Sequence, residues 1–239
     1  MECRVCRTIL EESTLKILKT KCRFSGEHLV RYRCPNCDVI FGNMRMLNLS
    51  FEELRHEYEE HYRTHREAEN TSLEMSLLKS ISSAPVGSDL YINWGCGGGW
   101  NKTLEKAAAL GYNLLGYDIA AKKFNLVIDD IGELEEGSVT GIISNNYIEH
   151  MQHPIDEFSA MNSILKEGGL MIHSTPCWHY FIEWTKFHLF FLEGRSLDVL
   201  CDMTGFRVLP DFPVPKYPYQ HYPNANSNIK VFEKIKSLE

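Results

Sequence analysis

A glycine-rich stretch directly after an apolar run is the first place where this sequence could bind a ligand. Residues 90–92 lead into Trp94-Gly-Cys-Gly-Gly-Gly-Trp100, and a helical pattern follows from Asn101. A strand, a glycine turn and a helix bring backbone N–H groups close to a ligand. The dinucleotide pattern G-x-G-x-x-G fails at position 100, so the spacing favours a nucleotide-like ligand other than NAD. Taken alone, such a cluster is equally typical of a tight turn.

An acidic residue at the end of the next apolar run adds to this pattern. The run 113–117 ends in Asp118, which lies 19 residues beyond Gly99. A carboxylate at the tip of a second strand is placed to accept hydrogen bonds from ribose hydroxyls. The glycine stretch and Asp118 together therefore indicate a nucleoside-binding edge.

Four cysteines near the N-terminus have the spacing of metal ligands. They form two pairs separated by 27 residues, Cys3-x-x-Cys6 and Cys34-x-x-Cys37. Four thiolates in two such pairs close a tetrahedral structural zinc site. The pattern predicts a zinc-ribbon-like module over residues 1–45. Cys22 is interpreted as a buried thiol or, alternatively, as a substitute ligand.

A set of motifs between residues 90 and 177 resembles a known enzyme family. The motifs are Trp94-Gly-Cys-Gly-Gly-Gly99, Gly116-Tyr-Asp118, Ser144-Asn-Asn-Tyr-Ile-Glu-His150, Leu165-Lys-Glu-Gly-Gly169 and Ser174-Thr-Pro176. In this order they are similar to class I S-adenosylmethionine-dependent methyltransferases, especially the small-molecule enzymes that modify ubiquinone and sugars. Several of those carry a cysteine-rich zinc segment before the catalytic domain. The resemblance implies a methyltransferase with S-adenosylmethionine as cofactor and Zn²⁺ as a structural ion.

The resemblance also implies which residues contact the cofactor. In chain order they are Asn93, Gly95, Cys96, Gly97, Gly99, Asp118, Ile119, Asp130, Ile131, Asn145 and Asn146. The glycine segment would pass beneath the methionine part of the cofactor, and the two last asparagines would line the same end. Asp118 would hold the ribose with Ile119 on the adenine ring, and the 129–131 turn would approach the adenine amine.

The chain departs from the family pattern at two places. Asn93 stands where the family usually has an acid that orients the cofactor's amino group. An amide accepts hydrogen bonds but carries no charge, so weaker cofactor binding is expected. The segment from Asp118 to Gly141 is also short, so the helix usual between the second and third strands is expected to be reduced to a turn.

Histidine and tyrosine side chains are the candidates for the reacting end. Methyl transfer is an in-line displacement that requires an aligned acceptor and can require a base, for which histidine is best tuned near neutral pH. The candidates are His150, His173, His179 and Tyr180. His150 is preferred, with bracing of its loop as the alternative, whereas His173 would face the core if it is structural. The aromatic stretch 178–191 is interpreted as a substrate lid or an amphipathic helix.

The elements that position these residues alternate between strand and helix. Strands are predicted at 90–92, 113–118, 126–130, 141–145, 170–174, 206–209 and 229–233, and helices at 102–110, 154–165 and 195–203. This alternation predicts a Rossmann-like, doubly wound α/β sheet with its ligand at the carboxyl ends of the strands. We expect the catalytic domain to span 89–239. A capping box at Ser50 and Glu53 predicts a helix inside a helical linker over 46–88.

Composition limits the remaining choices. The 239 residues carry a net charge of −7, which disfavours general wrapping of nucleic acid. Residues 1–45 are mildly basic, with nine Lys/Arg against five Asp/Glu, a net charge of +4. No apolar run reaches 18 residues and no signal-peptide pattern is present, so a cytoplasmic protein with reduced cysteines and no membrane span is expected.

Two functional hypotheses follow from these patterns. The first is methyl transfer to a small polar acceptor, such as a sugar or a nucleotide-linked metabolite of surface-glycan biosynthesis, with a histidine base. The alternative is an RNA methyltransferase, or an RNA-associated cofactor-binding module that the zinc ribbon recruits. A non-catalytic interaction protein is a third interpretation, motivated by Asn93. The sequence leaves the acceptor, the methylated atom and the oligomeric state open.

Overall fold

A computed structural model of the chain describes residues 1–65, 70–82, 88–97, 101–118, 126–181, 184–216 and 228–238. The strands are β1 (Lys16–Lys21), β2 (His28–Arg33), β3 (Ile40–Phe41), β4 (Leu90–Trp94), β5 (Asn113–Tyr117), β6 (Val127–Ile128), β7 (Val139–Asn145), β8 (Leu165–Ser174), β9 (Phe190–Phe191), β10 (Phe206–Val208) and β11 (Ile229–Lys234). The helices are α1 (Met44–Leu47), α2 (Phe51–Thr64), α3 (Thr71–Ile81), α4 (Lys102–Ala109), α5 (Pro154–Ile164) and α6 (Ser196–Thr204).

The chain divides into two compact units that interleave along the sequence. The first unit contains Met1–Glu69, Glu149–Pro154 and Pro176–Leu200. The second unit contains Asn70–Ile148, Ile155–Thr175 and Cys201–Glu239. None of the helices in the described residues is both long enough and apolar enough to cross a bilayer.

The first unit is built on an antiparallel sheet with the strand order β1-β2-β3-β9. Ile40 and Phe41 of β3 pair with Phe191 and Phe190 of β9, about 150 residues later in the chain. Arg31 of β2 is fully buried beside this sheet, and its Nη2 donates to the carbonyl oxygens of Thr185 (2.6 Å) and His188 (3.1 Å). The buried charge therefore ties the sheet to the segment that precedes β9.

Helix α2 of the first unit begins at the predicted capping box. Ser50 Oγ accepts from Glu53 N, and Glu53 Oε2 accepts from Ser50 N at 2.8 Å. These two bonds satisfy backbone and side-chain groups that a helix N-terminus otherwise leaves open. Tyr58 of this helix stacks on Phe187 with ring centroids 4.8 Å apart. The helix is thus fixed inside the first unit rather than forming a separate linker.

The second unit is a seven-stranded sheet with the order β10-β11-β8-β7-β4-β5-β6. Strands β4 to β8 run parallel, and β11 pairs antiparallel with both β8 and β10. Parallel strands joined by helices place all their carboxyl ends on one edge. Strand β4 is buried along most of its length, as expected for a sheet covered on both faces. This arrangement confirms the predicted Rossmann-like, doubly wound α/β fold.

Helices α3 and α4 cover part of this sheet. The α3 side chains Leu73, Met75, Leu77 and Leu78 are buried in one apolar cluster with residues of β4, β5 and β7. Helix α4 begins at Asn101, whose Oδ1 accepts from Thr103 N and Leu104 N. The first turn after the glycine segment is therefore capped by a side chain, which satisfies two of its backbone N–H groups.

The structure differs from the expected division of the chain in two respects. Residues 46–69 belong to the same unit as the cysteine module, and 149–154 and 176–200 join that unit as well. These later segments join the first unit because β9 pairs with β3. Each of these two strands has only two residues, which is too short to be predicted from the sequence. In addition, the described part of 178–191 forms only a 3₁₀ turn (Pro176–Trp178) and the short β9, not an amphipathic helix.

Candidate functional site

The glycine segment after β4 folds into a tight loop. Gly95 and Gly97 both adopt positive φ angles, +74° and +86°. Gly95 N donates to Tyr117 O at 2.7 Å, and a Cβ added at Gly95 would lie 2.0 Å from the ring of Tyr147. A side chain at position 95 would therefore face both backbone strain and a steric clash. Gly99 lies outside the described residues.

Asp118 lies beside this loop, directly after β5. Its Oδ2 accepts a hydrogen bond from Gly97 N at 2.9 Å. The sequence predicted that the glycine stretch and this carboxylate share one edge, and the structure brings them into direct contact. Asp118 is partly exposed, so its carboxylate is accessible to a ligand. Ile119, predicted to pack on adenine, lies outside the described residues.

The end of β6 is the third point on this edge. Asp130 Oδ1 accepts from Gly132 N at 2.8 Å and caps a 3₁₀ turn, Ile131–Glu133. Because β6 pairs with β5 in parallel, Asp130 and Ile131 follow the strand next to the one that ends at Asp118. Both residues therefore lie on the edge where the resemblance places the adenine.

Two asparagines occupy the end of β7. Asn145 is buried (8% exposed), and neither Oδ1 nor Nδ2 of its side chain has a hydrogen-bond partner among the described residues. Asn146 has a positive φ of +51°, and its Oδ1 also has no hydrogen-bond partner among the described residues. A buried amide without a partner costs about 1–3 kcal/mol, so the amide of Asn145 is open to a ligand or a water molecule.

A buried carboxyl group behind the loop escaped the sequence analysis. Glu157 Oε2 accepts from Tyr147 Oη at 2.7 Å and from Trp94 Nε1 at 3.4 Å. Burial raises the pKa of Glu157 to about 7, although both hydrogen bonds act in the opposite direction. Since Tyr147 also covers Gly95, this carboxyl group holds the ring against the glycine loop. The sequence offers no signal for it, because Glu157 lies on a helix of ordinary composition.

Of the four residues predicted for catalysis, three belong to the first unit and His173 belongs to the second. His150 belongs to the first unit, where its Nδ1 is 2.9 Å from Tyr58 Oη and its ring is edge-on to His188 at 5.0 Å. Burial lowers the pKa of His150 well below the usual histidine range, with smaller contributions from His188 and His61. The ring is therefore neutral at pH 7, the state in which it can accept a proton.

His173 is fully buried in the second unit. Its Nδ1 is hydrogen-bonded to Ser144 Oγ, and the rings of Phe158 and Phe232 lie 5.7 and 5.4 Å away. Burial lowers the pKa of His173 to about 3. This placement corresponds to the core position that the sequence analysis gave as the alternative.

His179 and Tyr180 belong to the first unit. His179 is exposed, directly after the 3₁₀ turn Pro176–Trp178. Tyr180 N donates to Glu193 Oε1 at 2.7 Å, and the Tyr180 ring is edge-on to Phe191 at 4.8 Å. Tyr180 is therefore fixed against β9, and a catalytic role for either residue stays a prediction.

The four cysteines of the N-terminal pairs come together as predicted. The sulfur atoms of Cys3, Cys6, Cys34 and Cys37 all lie within 4.8 Å of one another. Cys3 Sγ is 3.7 Å from Cys37 Sγ, and Cys6 Sγ is 3.6 Å from Cys34 Sγ. Burial raises the pKa of the Cys34 thiol to about 11. The cluster has the ligand set of a structural zinc site, in which four thiolates bind one cation. Cys22 is buried outside this cluster.

A second group with metal-ligand chemistry lies in the first unit. Ligand atoms of Glu149, Cys177 and His188 fall within 4.8 Å of one another. Cys177 Sγ is hydrogen-bonded to His188 Nδ1 at 3.2 Å. These residues come from three separated segments, so no spacing in the sequence could reveal them.

Comparisons with known proteins agree with this geometry. The model of a family described as a methyltransferase domain matches residues 62–210, more than half of the chain. Among solved structures, a SAM-dependent methyltransferase from Archaeoglobus fulgidus aligns with a TM-score of 0.50 and 16% identity, covering 77% of this chain and all of that one. A search of curated proteins finds no match.

A second solved structure covers more of the chain. It is a 1,6-didemethyltoxoflavin N1-methyltransferase from Burkholderia thailandensis, with 1,6-didemethyltoxoflavin and S-adenosylhomocysteine bound. The alignment has a TM-score of 0.53 and 12% identity, and it covers 91% of this chain and all of that chain. At these identities the two structures establish the fold, whereas the family match concerns the sequence itself.

Proposed function

This chain belongs to the class I S-adenosylmethionine-dependent methyltransferases, and from this we propose that it transfers a methyl group to a small polar acceptor at the carboxyl edge of its seven-stranded sheet. The observation that carries the proposal is the buried, unpartnered amide of Asn145 on the edge that also holds the glycine loop and Asp118. Native proteins rarely leave such a group unsatisfied unless a ligand or water completes it.

The residues on this edge fit S-adenosylmethionine. Asp118 supplies a carboxylate for the ribose hydroxyls, and Asp130 and Ile131 lie one strand further along for the adenine. The loop at Gly95 and Gly97 lets the backbone approach a ligand closely, because neither position carries a Cβ. When bound, the cofactor supplies an electrophilic methyl group, and its positively charged sulfur is the leaving group of the in-line displacement.

His150 is the proposed base for an oxygen or nitrogen acceptor. It follows Asn145 by five residues in the chain, and its neutral ring can accept a proton. For Nε2 to act as the base, Nδ1 must carry the hydrogen and donate it to Tyr58 Oη. Tyr58 would then fix both the tautomer and the orientation of the ring.

The acceptor is proposed to be a small metabolite, with sugars and nucleotide-linked intermediates of surface-glycan biosynthesis as the candidate class. The net charge of −7 supports this over RNA, since a protein of net negative charge repels a polyanionic substrate. The four-cysteine cluster is proposed to bind one structural Zn²⁺. A cytoplasmic location stays an expectation.

Calorimetric titration of the intact protein with S-adenosylhomocysteine tests the cofactor site. We expect measurable binding that Asp118→Ala weakens about 100-fold, because a carboxylate bonded to two hydroxyls is lost. Asp202→Ala removes an exposed carboxylate of the same unit and should leave the affinity unchanged. Absence of binding to the wild-type protein, or equal affinity in the Asp118 variant, would contradict the proposal.

A further inference from the structure

Near the end of β4, the side chain of Asn93 is uncharged, whereas the ammonium group at the amino acid end of the cofactor requires a negative charge. The methionine part of S-adenosylmethionine carries an ammonium group beside its carboxylate. Asn93 is buried (1% exposed), and its Nδ2 donates to Glu74 Oε2 at 2.9 Å. The Nδ2 of Asn93 thus serves as a hydrogen-bond donor to a carboxylate, which leaves only the uncharged Oδ1 of this side chain to accept from an ammonium group.

The carboxylate of Glu74 is held in place by its helix. Glu74 lies in the first turn of α3, and its neighbours Leu73 and Met75 are both buried in the core of the second unit. A carboxylate in the first turn is favoured by the helix dipole. Glu74 itself is only partly buried. Its backbone is therefore held by the buried neighbours, while its carboxylate remains accessible.

The negative charge of Glu74 acts electrostatically on Cys96 of the glycine loop. The pKa of the Cys96 thiol is raised by burial, and the negative charges of Asp118 and Glu74 raise it further. Two carboxylates on different elements, one after β5 and one on α3, therefore act on the same loop residue. Asp118 accepts from Gly97 N on this loop, and Glu74 brings the second negative charge that a cationic group at the loop would meet.

We propose that Glu74 binds the ammonium group of the cofactor's methionine part, and that Asn93 is the positioning residue that orients its carboxylate. The two positions form a matched pair, since an acid at 93 would place two carboxylates at hydrogen-bond distance and one of them would have to be protonated. The charge expected from strand β4 is thus supplied by helix α3. This inference rests on the proposed function, because it requires that the cofactor binds at this edge.

Two ligands that differ only in the amino acid part test the assignment. S-adenosylhomocysteine carries the ammonium group, whereas 5′-methylthioadenosine lacks the whole amino acid end. We expect Glu74→Gln to weaken S-adenosylhomocysteine about 10- to 100-fold, as for a hydrogen bond to a charged group, and to leave 5′-methylthioadenosine unchanged. Calorimetry on the full chain measures both. Glu105→Gln, an exposed glutamate in the first turn of α4, is the matched control.

A second variant returns the charge to the strand. In Glu74→Gln/Asn93→Asp the carboxylate moves to position 93, and the amide introduced at position 74 can donate to it. We expect this double variant to recover at least about 5-fold of the lost S-adenosylhomocysteine affinity, since a charge-assisted contact is restored. Equal weakening of both ligands by Glu74→Gln, no weakening of either, or no recovery in the double variant would overturn the assignment. A wild-type protein that binds neither ligand would instead overturn the proposed function.

Discussion

The two units of this protein treat their polar side chains in different ways. In the first unit, buried polar groups converge on one another: four cysteine sulfurs lie close together, and Arg31 Nη2 donates to two carbonyl oxygens, while Arg31 Nε and Trp184 Nε1 have no hydrogen-bond partner among the described residues. In the second unit, the edge of the sheet keeps Asn145 buried without a partner among the described residues. Polar groups that satisfy one another stabilise a fold, whereas a buried group left open can be completed by a ligand, a water molecule or an ion. The comparison therefore contrasts converging polar groups in the first unit with an open amide on the proposed cofactor edge of the second.

Removal of the metal should have the largest effect and should act on stability. A structural zinc ion contributes about 10 kcal/mol or more to a small module, so Cys37→Ser or a strong chelator should abolish the cooperative unfolding of the first unit. Metal analysis should give one zinc per chain, and scanning calorimetry follows the unfolding. Cys22→Ala, which removes a buried thiol outside the cluster, should keep the zinc.

Two results would change this view of the first unit. Full stability after chelation would show that the four cysteines do not depend on a cation. Two equivalents of zinc, of which one is lost in Cys177→Ala, would assign the second ion to the group of Glu149, Cys177 and His188.

Acid should destabilise the second unit through His173. Its pKa is about 3 when folded and about 6.5 when unfolded, so the unfolded state binds the proton more readily. The stability conferred by the neutral ring is present above pH 6.5 and is lost at about 1.4 kcal/mol per pH unit as the pH falls towards 3. The difference in unfolding free energy between pH 7 and pH 5, measured with denaturant, should be smaller by about 2 kcal/mol in His173→Asn.

The asparagine in this variant keeps an atom near the Nδ1 position for Ser144. His56→Asn, which changes an exposed histidine on α2, is the control and should leave the slope with pH as in the wild type. An unchanged slope in His173→Asn would mean that the ring is protonated in the folded state, against its full burial.

His150 is the proposed base of the reaction. Loss of a general base costs about 100-fold in rate or more, so His150→Asn should lower kcat by that factor while S-adenosylhomocysteine affinity stays the same. Its pKa is lowered by burial, so the wild-type rate should not fall between about pH 7.5 and 6.5. His56→Asn, which changes an exposed histidine outside the candidate set, is the control. If kcat per folded molecule is unchanged in His150→Asn, the ring only braces its loop.

Asn145 should show the smallest effect and the clearest separation of binding from stability. The alanine removes an amide that is unfavourable when buried without a partner, but it also leaves a small cavity. Because these two effects oppose each other, Asn145→Ala should change the free energy of unfolding by less than about 1 kcal/mol. The same variant should weaken S-adenosylhomocysteine about 10-fold, through the loss of one hydrogen bond. Chemical denaturation and calorimetry measure the two quantities. A large loss of stability with unchanged affinity would place this side chain among the structural groups instead.

Much of the second unit could be predicted because its signals are local. Each predicted strand from 90–92 to 229–233 appears in the sheet with shifted ends. In the first unit, helix α2 likewise begins at the predicted capping box of Ser50. The glycine loop and Asp118 were predicted to share an edge, since parallel strands end together. The cysteine cluster was equally accessible, because spacing alone identifies thiolate pairs.

The features that escaped prediction depend on contacts between distant segments. Strand β9 has two residues and becomes recognisable only when it pairs with β3. Glu74 meets Asn93 across 19 residues and two elements, and Glu157 lies on a helix without any motif. Such pairs are set by the packing of elements, and a single sequence gives no periodicity or spacing from which packing can be derived.

A crystal structure of the full chain with S-adenosylhomocysteine tests the central claim most directly. We predict the ribose hydroxyls at hydrogen-bond distance from the Asp118 carboxylate, about 2.5–3.0 Å, with the ammonium group at Glu74 and the sulfur at the end of β7. Ligand density away from the carboxyl edge of β4 and β5, or a ribose that does not contact Asp118, would contradict the account.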